Sequence, residues 1–183
     1  GGSGADGMSF ALIDGAEAPT LGGLGGALGY SCPTSNYESR GSGMRGAYLG
    51  VGIDEWGNFL NRKDNSGNGS LTGTVKNYIG LRGKGEINLE YLNQKYGNAA
   101  FPLSVAGQTN VMNACINGGF TQNNKFVPLA NYKELANYKL PNATPIGNNA
   151  TTRAGAIPIN YRLRITEEGL LSFWWSYKGG QYI

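Results

Sequence analysis

Three residues and a glycine-rich run in the first third of the chain have the chemistry needed to hold one sugar ring. The residues are a carboxylate (Asp6), an aromatic (Trp56) and an amide (Asn58), and the run 22–29 offers an open glycine backbone. A carboxylate accepts hydrogen bonds from paired hydroxyl groups. An aromatic plate covers the C–H face of a sugar, and a few oriented polar groups set specificity. The set predicts a sugar-binding site.

Each of these residues also has a purely structural explanation. Asp6 before Gly7 is typical of a turn in which the aspartate bonds its own backbone. Trp56 fits a core aromatic, although its polar neighbours favour a loop, and Asn58 fits a turn or a calcium ligand as well as a sugar contact. The glycine-rich run 22–29 needs no function to explain it. The prediction therefore depends on the set and not on any single residue.

The residue types exclude most catalytic chemistries. The chain has no histidine, so a Ser-His-Asp triad, a Cys-His pair and a His-ligated zinc are impossible within it. It has no G-x-x-x-x-G-K-[ST] phosphate loop. A carboxylate pair of the glycosidase type remains, but Asp54 and Glu55 are adjacent and point to opposite faces of an extended strand. We expect a protein that is not an enzyme.

Composition predicts an all-β domain that works outside the cell. The 183 residues are enough for one domain, 1–183, with 31 glycines and only 15% charged residues. The net charge of +3 is carried by scattered cations, so we expect no nucleic-acid partner. No apolar run has the length of a membrane span, so we expect no membrane insertion.

Alternating and apolar runs place the candidate residues around strands. Two strands are predicted over Met8–Asp14 and Ala47–Asp54, with a loop over Gly15–Gly26 between them. Gly50 and Gly52 fall on one face of the second strand, which predicts close packing against its backbone. Further segments are a strand pair (Lys76–Leu81 and Glu86–Leu92), an Asn/Gly-rich insertion (about 93–152) with a short helix (Tyr132–Leu140), and a hairpin (Tyr161–Ile165 and Leu171–Tyr177) that turns at Glu167–Gly169. Strands without long helices between them predict an antiparallel sandwich.

Cys32 and Cys115 are the only cysteines. Without C-x-x-C spacing they cannot form a metal or thioredoxin-type site by themselves. A disulfide between them is favoured over two buried thiols, since the composition is that of an extracellular protein.

Three segments taken together resemble the bacterial branch of the legume-type (L-type) lectins. They are Ala5-Asp6-Gly7-Met8-Ser9-Phe10, Gly25-Gly26-Ala27-Leu28-Gly29-Tyr30 and Leu49-Gly50-Val51-Gly52-Ile53-Asp54-Glu55-Trp56-Gly57-Asn58-Phe59. The resemblance implies a concanavalin A-like antiparallel jelly-roll sandwich. It also implies a sugar held by the Asp6 carboxylate, the Gly26 N–H, the Asn58 amide and the Trp56 ring.

The resemblance has departures that bear on metals. The positions of the family's metal-binding glutamate and histidine are Gly52 and Tyr78, so no transition metal is expected. A calcium site would keep Asp54, Asn58 and the Trp56 carbonyl, while the second aspartate position appears as Asn61, with Asp64 the nearest substitute. The same-fold glycosidases carry glutamates where this chain has Gly52 and Gly57, which argues against hydrolysis.

The resemblance further implies a sandwich that is incomplete at both ends, because the family has strands before and after the segments found here. We expect a carbohydrate-binding domain of a bacterial surface or secreted adhesin, with glycans or polysaccharide as partners. One alternative is a structural module of a surface assembly whose sugar site has decayed. The other is a glycan hydrolase.

Overall fold

The structure, a computed structural model, describes residues 7–32, 43–59, 78–129, 134–139 and 159–177. They fall into two compact units, one within Ala5–Leu140 and one within Pro141–Ile183. The elements in chain order are β1 (Gly7–Ile13), a 3-10 turn (Gly25–Ala27), β2 (Ala47–Asp54), β3 (Tyr78–Arg82), α1 (Leu89–Tyr96), α2 (Val105–Asn117), β4 (Gly119–Gln122), β5 (Lys125–Pro128), β6 (Glu134–Lys139), β7 (Ile159–Ile165) and β8 (Leu171–Tyr177). Small antiparallel sheets and few helices make the described part predominantly β.

The main sheet has the strand order β1-β2-β3-β6, and every neighbouring pair is antiparallel. Strands β1 and β2 lie where the sequence predicts them, and Gly7 pairs with Asp54 at the end that carries the candidate residues. The expected close packing on β2 is confirmed. Gly50 lies against the ring of Tyr30 and Gly52 against the ring of Phe59, so neither position has room for a Cβ atom.

The predicted strand Glu86–Leu92 is wrong. This segment enters helix α1, whose first turn is capped by the Asn88 side chain accepting a hydrogen bond from the Tyr91 N–H at 2.9 Å. The helix places Leu92 in the core at 0% exposure. A capped N-terminus and a buried helical face therefore outweigh the strand-like alternation.

The predicted helix Tyr132–Leu140 is also wrong, because Glu134–Lys139 forms strand β6 and pairs with β3. An isolated helix of this length is marginal, whereas the edge of β3 offers a row of backbone hydrogen-bond partners. The preceding part of the Asn/Gly-rich insertion contains helix α2 and the β4–β5 hairpin. This hairpin turns at Asn123 and Asn124, both with positive φ, as a tight two-residue turn requires.

The larger unit has two apolar clusters. One surrounds Cys32 and Cys115, which are joined by a disulfide with Cα atoms 6.5 Å apart, and includes Leu92 and Phe101. The other consists of Tyr30, Phe59 and the β2 residue Ala47. The smaller unit contains the β7–β8 hairpin, which turns at Glu167–Gly169 as predicted.

Candidate functional site

The candidate site begins where β2 ends, because the Asp54 carboxylate folds the following loop around itself. Its Oδ1 accepts a hydrogen bond from the Gly57 N–H at 2.7 Å, and its Oδ2 accepts one from the Phe59 N–H at 2.8 Å. Asp54 is fully buried, and Gly57 has a φ of +99° that favours glycine. The aspartate thus fixes the loop from which Trp56 and Asn58 project.

The far end of this loop is held by aromatic packing and by a buried cation. The Phe59 ring lies on Gly52 and meets the Tyr30 ring edge to face, with centroids 6.4 Å apart. Arg82, only 1% exposed, donates from Nε to the Phe59 carbonyl at 3.0 Å and also from Nη2. Its guanidinium lies 4.8 Å from the Phe59 ring centroid, within the range of a cation–π contact.

Tyr30 links the glycine-rich loop to this cluster. Its hydroxyl donates a hydrogen bond of 2.5 Å to the Gly83 carbonyl, just beyond β3. Burial raises the pKa of Tyr30, and the nearby charge of Arg82 acts in the opposite direction. The hydroxyl therefore stays protonated and keeps its role as a donor.

The glycine-rich loop is an ordered structure held by its own backbone. The Gly22 N–H donates to the Gly29 carbonyl and the Gly29 N–H to the Gly23 carbonyl, both at 2.7 Å. Gly25 and Leu28 have φ values of +60° and +53°. The Ser9 hydroxyl donates to the Leu28 carbonyl at 2.8 Å, which connects the loop to β1.

Gly26 and Asn58 meet at the junction of the two loops. A Cβ atom on Gly26 would lie 2.5 Å from the Asn58 Cβ, so only glycine allows this approach. The Asn58 Oδ1 is buried and has no hydrogen-bond partner among the described residues. A buried polar atom without a partner costs free energy, and a donor from a bound ligand would remove that cost. Trp56, two residues before Asn58, keeps 42% of its surface exposed.

Two of the residues that the family resemblance assigns to calcium, Asp54 and Asn58, offer side-chain oxygen atoms in the described structure. Both Asp54 carboxylate oxygens accept hydrogen bonds from backbone N–H groups, so only their remaining lone pairs could coordinate a cation. The unpartnered Oδ1 of Asn58 is a suitable calcium ligand. Within the described ranges, no three Asp, Glu, Cys or His side chains form a group able to hold a metal ion. Asn61 and Asp64 lie outside those ranges, so calcium stays a prediction.

The structure thus brings Gly26 and Asn58 together and anchors Asn58 and Trp56 through Asp54, while Asp6 lies outside the described residues. Arg82 and the roles of Tyr30 and Phe59 were not predicted from the sequence. The signal in the sequence is the pair Gly50 and Gly52, which predicts that side chains pack closely against the backbone of β2. The pattern does not say which side chains these are.

Comparisons with protein-family models, curated proteins and solved structures find no match to this chain. Among the described residues, no helix combines the length and apolar character needed to cross a bilayer.

Proposed function

We propose that this chain is a carbohydrate-binding domain of a bacterial surface or secreted adhesin. The observation that carries the proposal is the contact between Gly26 and Asn58, together with a buried Asn58 Oδ1 that has no partner among the described residues. A sugar hydroxyl both donates and accepts hydrogen bonds. It would donate one to the Asn58 Oδ1 and could accept another from the Asn58 side-chain NH2 group.

The remaining roles follow the lectin resemblance. Trp56, partly exposed on the loop beside Asn58, would stack on the apolar face of the ring. The Gly26 N–H would approach the sugar without an obstructing side chain, and Asp6 would accept bonds from two hydroxyls. In the same proposal the sheet β1-β2-β3-β6 is part of a jelly-roll sandwich, whose loops at one end hold the ligand.

Calcium belongs to the proposal as a separate, testable element. Asp54, the Asn58 Oδ1 and the Trp56 carbonyl would contribute oxygen ligands, and the ion would order the loop from which Asn58 projects. The chain's own residues would still provide all contacts to the sugar.

The test is a glycan array probed with the purified chain, once with calcium and once with a chelator. We expect a defined set of glycans to bind, and we expect Trp56→Ala and Asn58→Ala to weaken binding by about tenfold or more. Tyr48→Ala is the matched control, because Tyr48 is an exposed aromatic at the opposite end of β2, with 57% exposure.

Each outcome of this test has a defined meaning. Binding that the chelator abolishes supports calcium beside Asp54, and binding that persists removes the metal while keeping the lectin. A folded sample that binds no glycan in either condition overturns the proposal in favour of a structural module of a surface assembly. Release of reducing sugar from polysaccharide, abolished by Asp54→Asn, would instead support a hydrolase.

A further inference from the structure

A second concave surface lies between helix α2 and the β4–β5 hairpin. This groove has a volume of about 740 Å³, within the range of small-ligand sites. Its floor is apolar and contains Phe101, which is fully buried, and Ala114, which is 1% exposed. Phe120 completes the floor and meets the Phe101 ring edge to face, with centroids 4.7 Å apart. The floor is therefore rigidly packed.

Amide side chains from α2 form one wall of the groove. Asn110, Asn113 and Asn117 all line it, because their spacing of three and four residues places them on one helical face. Asn110 donates to the Ala100 carbonyl at 2.8 Å, and Asn117 donates to the Asn113 carbonyl at 2.9 Å. Among the described residues the Asn113 side chain makes no hydrogen bond, so its amide can both donate to and accept from a ligand.

The hairpin forms the other wall and presents an aromatic ring to solvent. Phe126 keeps 58% of its surface exposed and pairs directly with Thr121 across the two strands. Its ring lies on Gly119, where a Cβ atom would come within 2.6 Å of the ring Cζ. The exposed ring is thus seated in a fixed position instead of projecting freely.

The chemistry of the lining selects one class of ligand. Among the described residues that line the groove, none is charged, so neither an acidic nor a basic ligand gains a counter-charge from them. Neutral amides and a hydroxyl beside a fixed aromatic ring match a molecule whose rings carry both hydroxyl groups and an apolar C–H face. We propose that the groove between α2 and the β4–β5 hairpin is a second binding site, for a neutral oligosaccharide, formed by Asn113, Thr121 and Phe126.

This site is independent of the one at Trp56 and Asn58, because the two share no residue. A chain with two such sites would contact two parts of one glycan, or two glycans, and gain avidity on a polysaccharide surface.

The experiment titrates the full chain, labelled with ¹⁵N, with maltohexaose, cellohexaose, mannohexaose, galactohexaose and hexa-N-acetylchitohexaose. We expect at least one of these neutral probes to shift the side-chain amide signals of Asn113 and the backbone signals of Thr121 and Phe126. Phe126→Ala should weaken that binding by about tenfold, and Phe126→Trp should restore it because stacking is retained. Both replacements are at an exposed position and should leave the fold intact.

Lys125→Ala is the matched control, since Lys125 is an exposed neighbour on β5 that does not line the groove. Trp56→Ala separates the two sites, because it removes the aromatic ring of the first site and should leave the shifts of the groove signals unchanged. The groove shifts therefore test the second site whether or not the site at Trp56 binds sugar. The proposal is overturned if none of the five probes shifts the groove signals of the folded protein. It is also overturned if Phe126→Ala leaves the binding at wild-type strength.

Discussion

At the scale of single residues, Gly52 decides how closely Phe59 approaches the backbone of β2. A Cβ atom at this position would lie only 2.2 Å from the Phe59 Cε1 atom. Because Arg82 holds the Phe59 carbonyl, the ring cannot move away without disturbing the loop that carries Asn58. We expect Gly52→Ala to lower the free energy of unfolding by about 1–3 kcal/mol, the usual cost of overpacking, as measured by urea denaturation.

The control for this prediction is Gly15→Ala. A Cβ atom at Gly15 meets nothing within 4 Å, so the replacement should change stability by less than about 0.5 kcal/mol. Equal effects of the two variants would show that the contact between Gly52 and Phe59 does not matter.

Glu86 provides a prediction about pH. Burial raises the pKa of Glu86 from 4.5, against the attraction of Arg45 and Lys84, which lowers it. The folded state therefore favours the protonated acid, and ionisation costs stability as the pH rises through the raised folded-state pKa. We expect Glu86→Gln to be more stable than wild type at about pH 7, with the difference fading below about pH 4.5.

Thermal unfolding of both proteins across this pH range measures the difference. A stability difference that stays constant with pH would mean that the amide introduced by Glu86→Gln acts through packing. A difference that widens on acidification would contradict the predicted direction of the pH dependence.

Residue-level features of the site were partly predictable from sequence. The close packing on Gly50 and Gly52 follows from two glycines on one face of an apolar strand. The identity of their partners does not, because Tyr30 is reached through a glycine-rich loop with no periodicity, and Arg82 looks like an ordinary charge at the end of β3. Contacts between residues distant in sequence carry no local signal.

At the scale of elements, the N-terminus of α1 depends on one side chain. The Asn88 side chain accepts a hydrogen bond from the Tyr91 N–H, whereas the Ser104 side chain at the start of α2 makes no capping bond. We expect Asn88→Ala to lower the free energy of unfolding by about 1 kcal/mol. Ser104→Ala should cost clearly less, and a guanidinium titration of both variants compares them. A larger loss at Ser104 would contradict this assignment of caps.

Strands β1, β2, β7 and β8 were predictable because alternation over seven or eight residues is a strong signal. The segment 86–92 was not, because Ile87, Leu89 and Tyr91 alternate like a strand, while Leu89, Leu92 and Tyr96 also follow a helical spacing. The choice depends on whether Leu92 is buried in the core around the disulfide, and this is a tertiary effect. Strand β6 shows the same limit, since it exists by pairing with β3.

At the scale of the larger unit, the disulfide joins two segments that the chain separates by 83 residues. Cys32 follows the glycine-rich loop that contains Gly26, and Cys115 lies in α2, whose amides line the second groove. The bond therefore connects the elements that support both proposed sites. Closing a loop of this length removes much conformational freedom from the unfolded chain.

We expect the double variant Cys32→Ala/Cys115→Ala to lose about 4–5 kcal/mol of unfolding free energy, the value that the chain-entropy account gives for such a loop. Both cysteines are buried, at 1% and 0% exposure, so the variant also loses a little packing. Wild type treated with a reductant separates the two contributions, because it loses the crosslink while keeping both sulfur atoms. If reduced wild type unfolds at the same urea concentration as the oxidised protein, the crosslink does not stabilise the fold. If it unfolds as early as the double variant, the loss comes from the unfolded chain and not from the core.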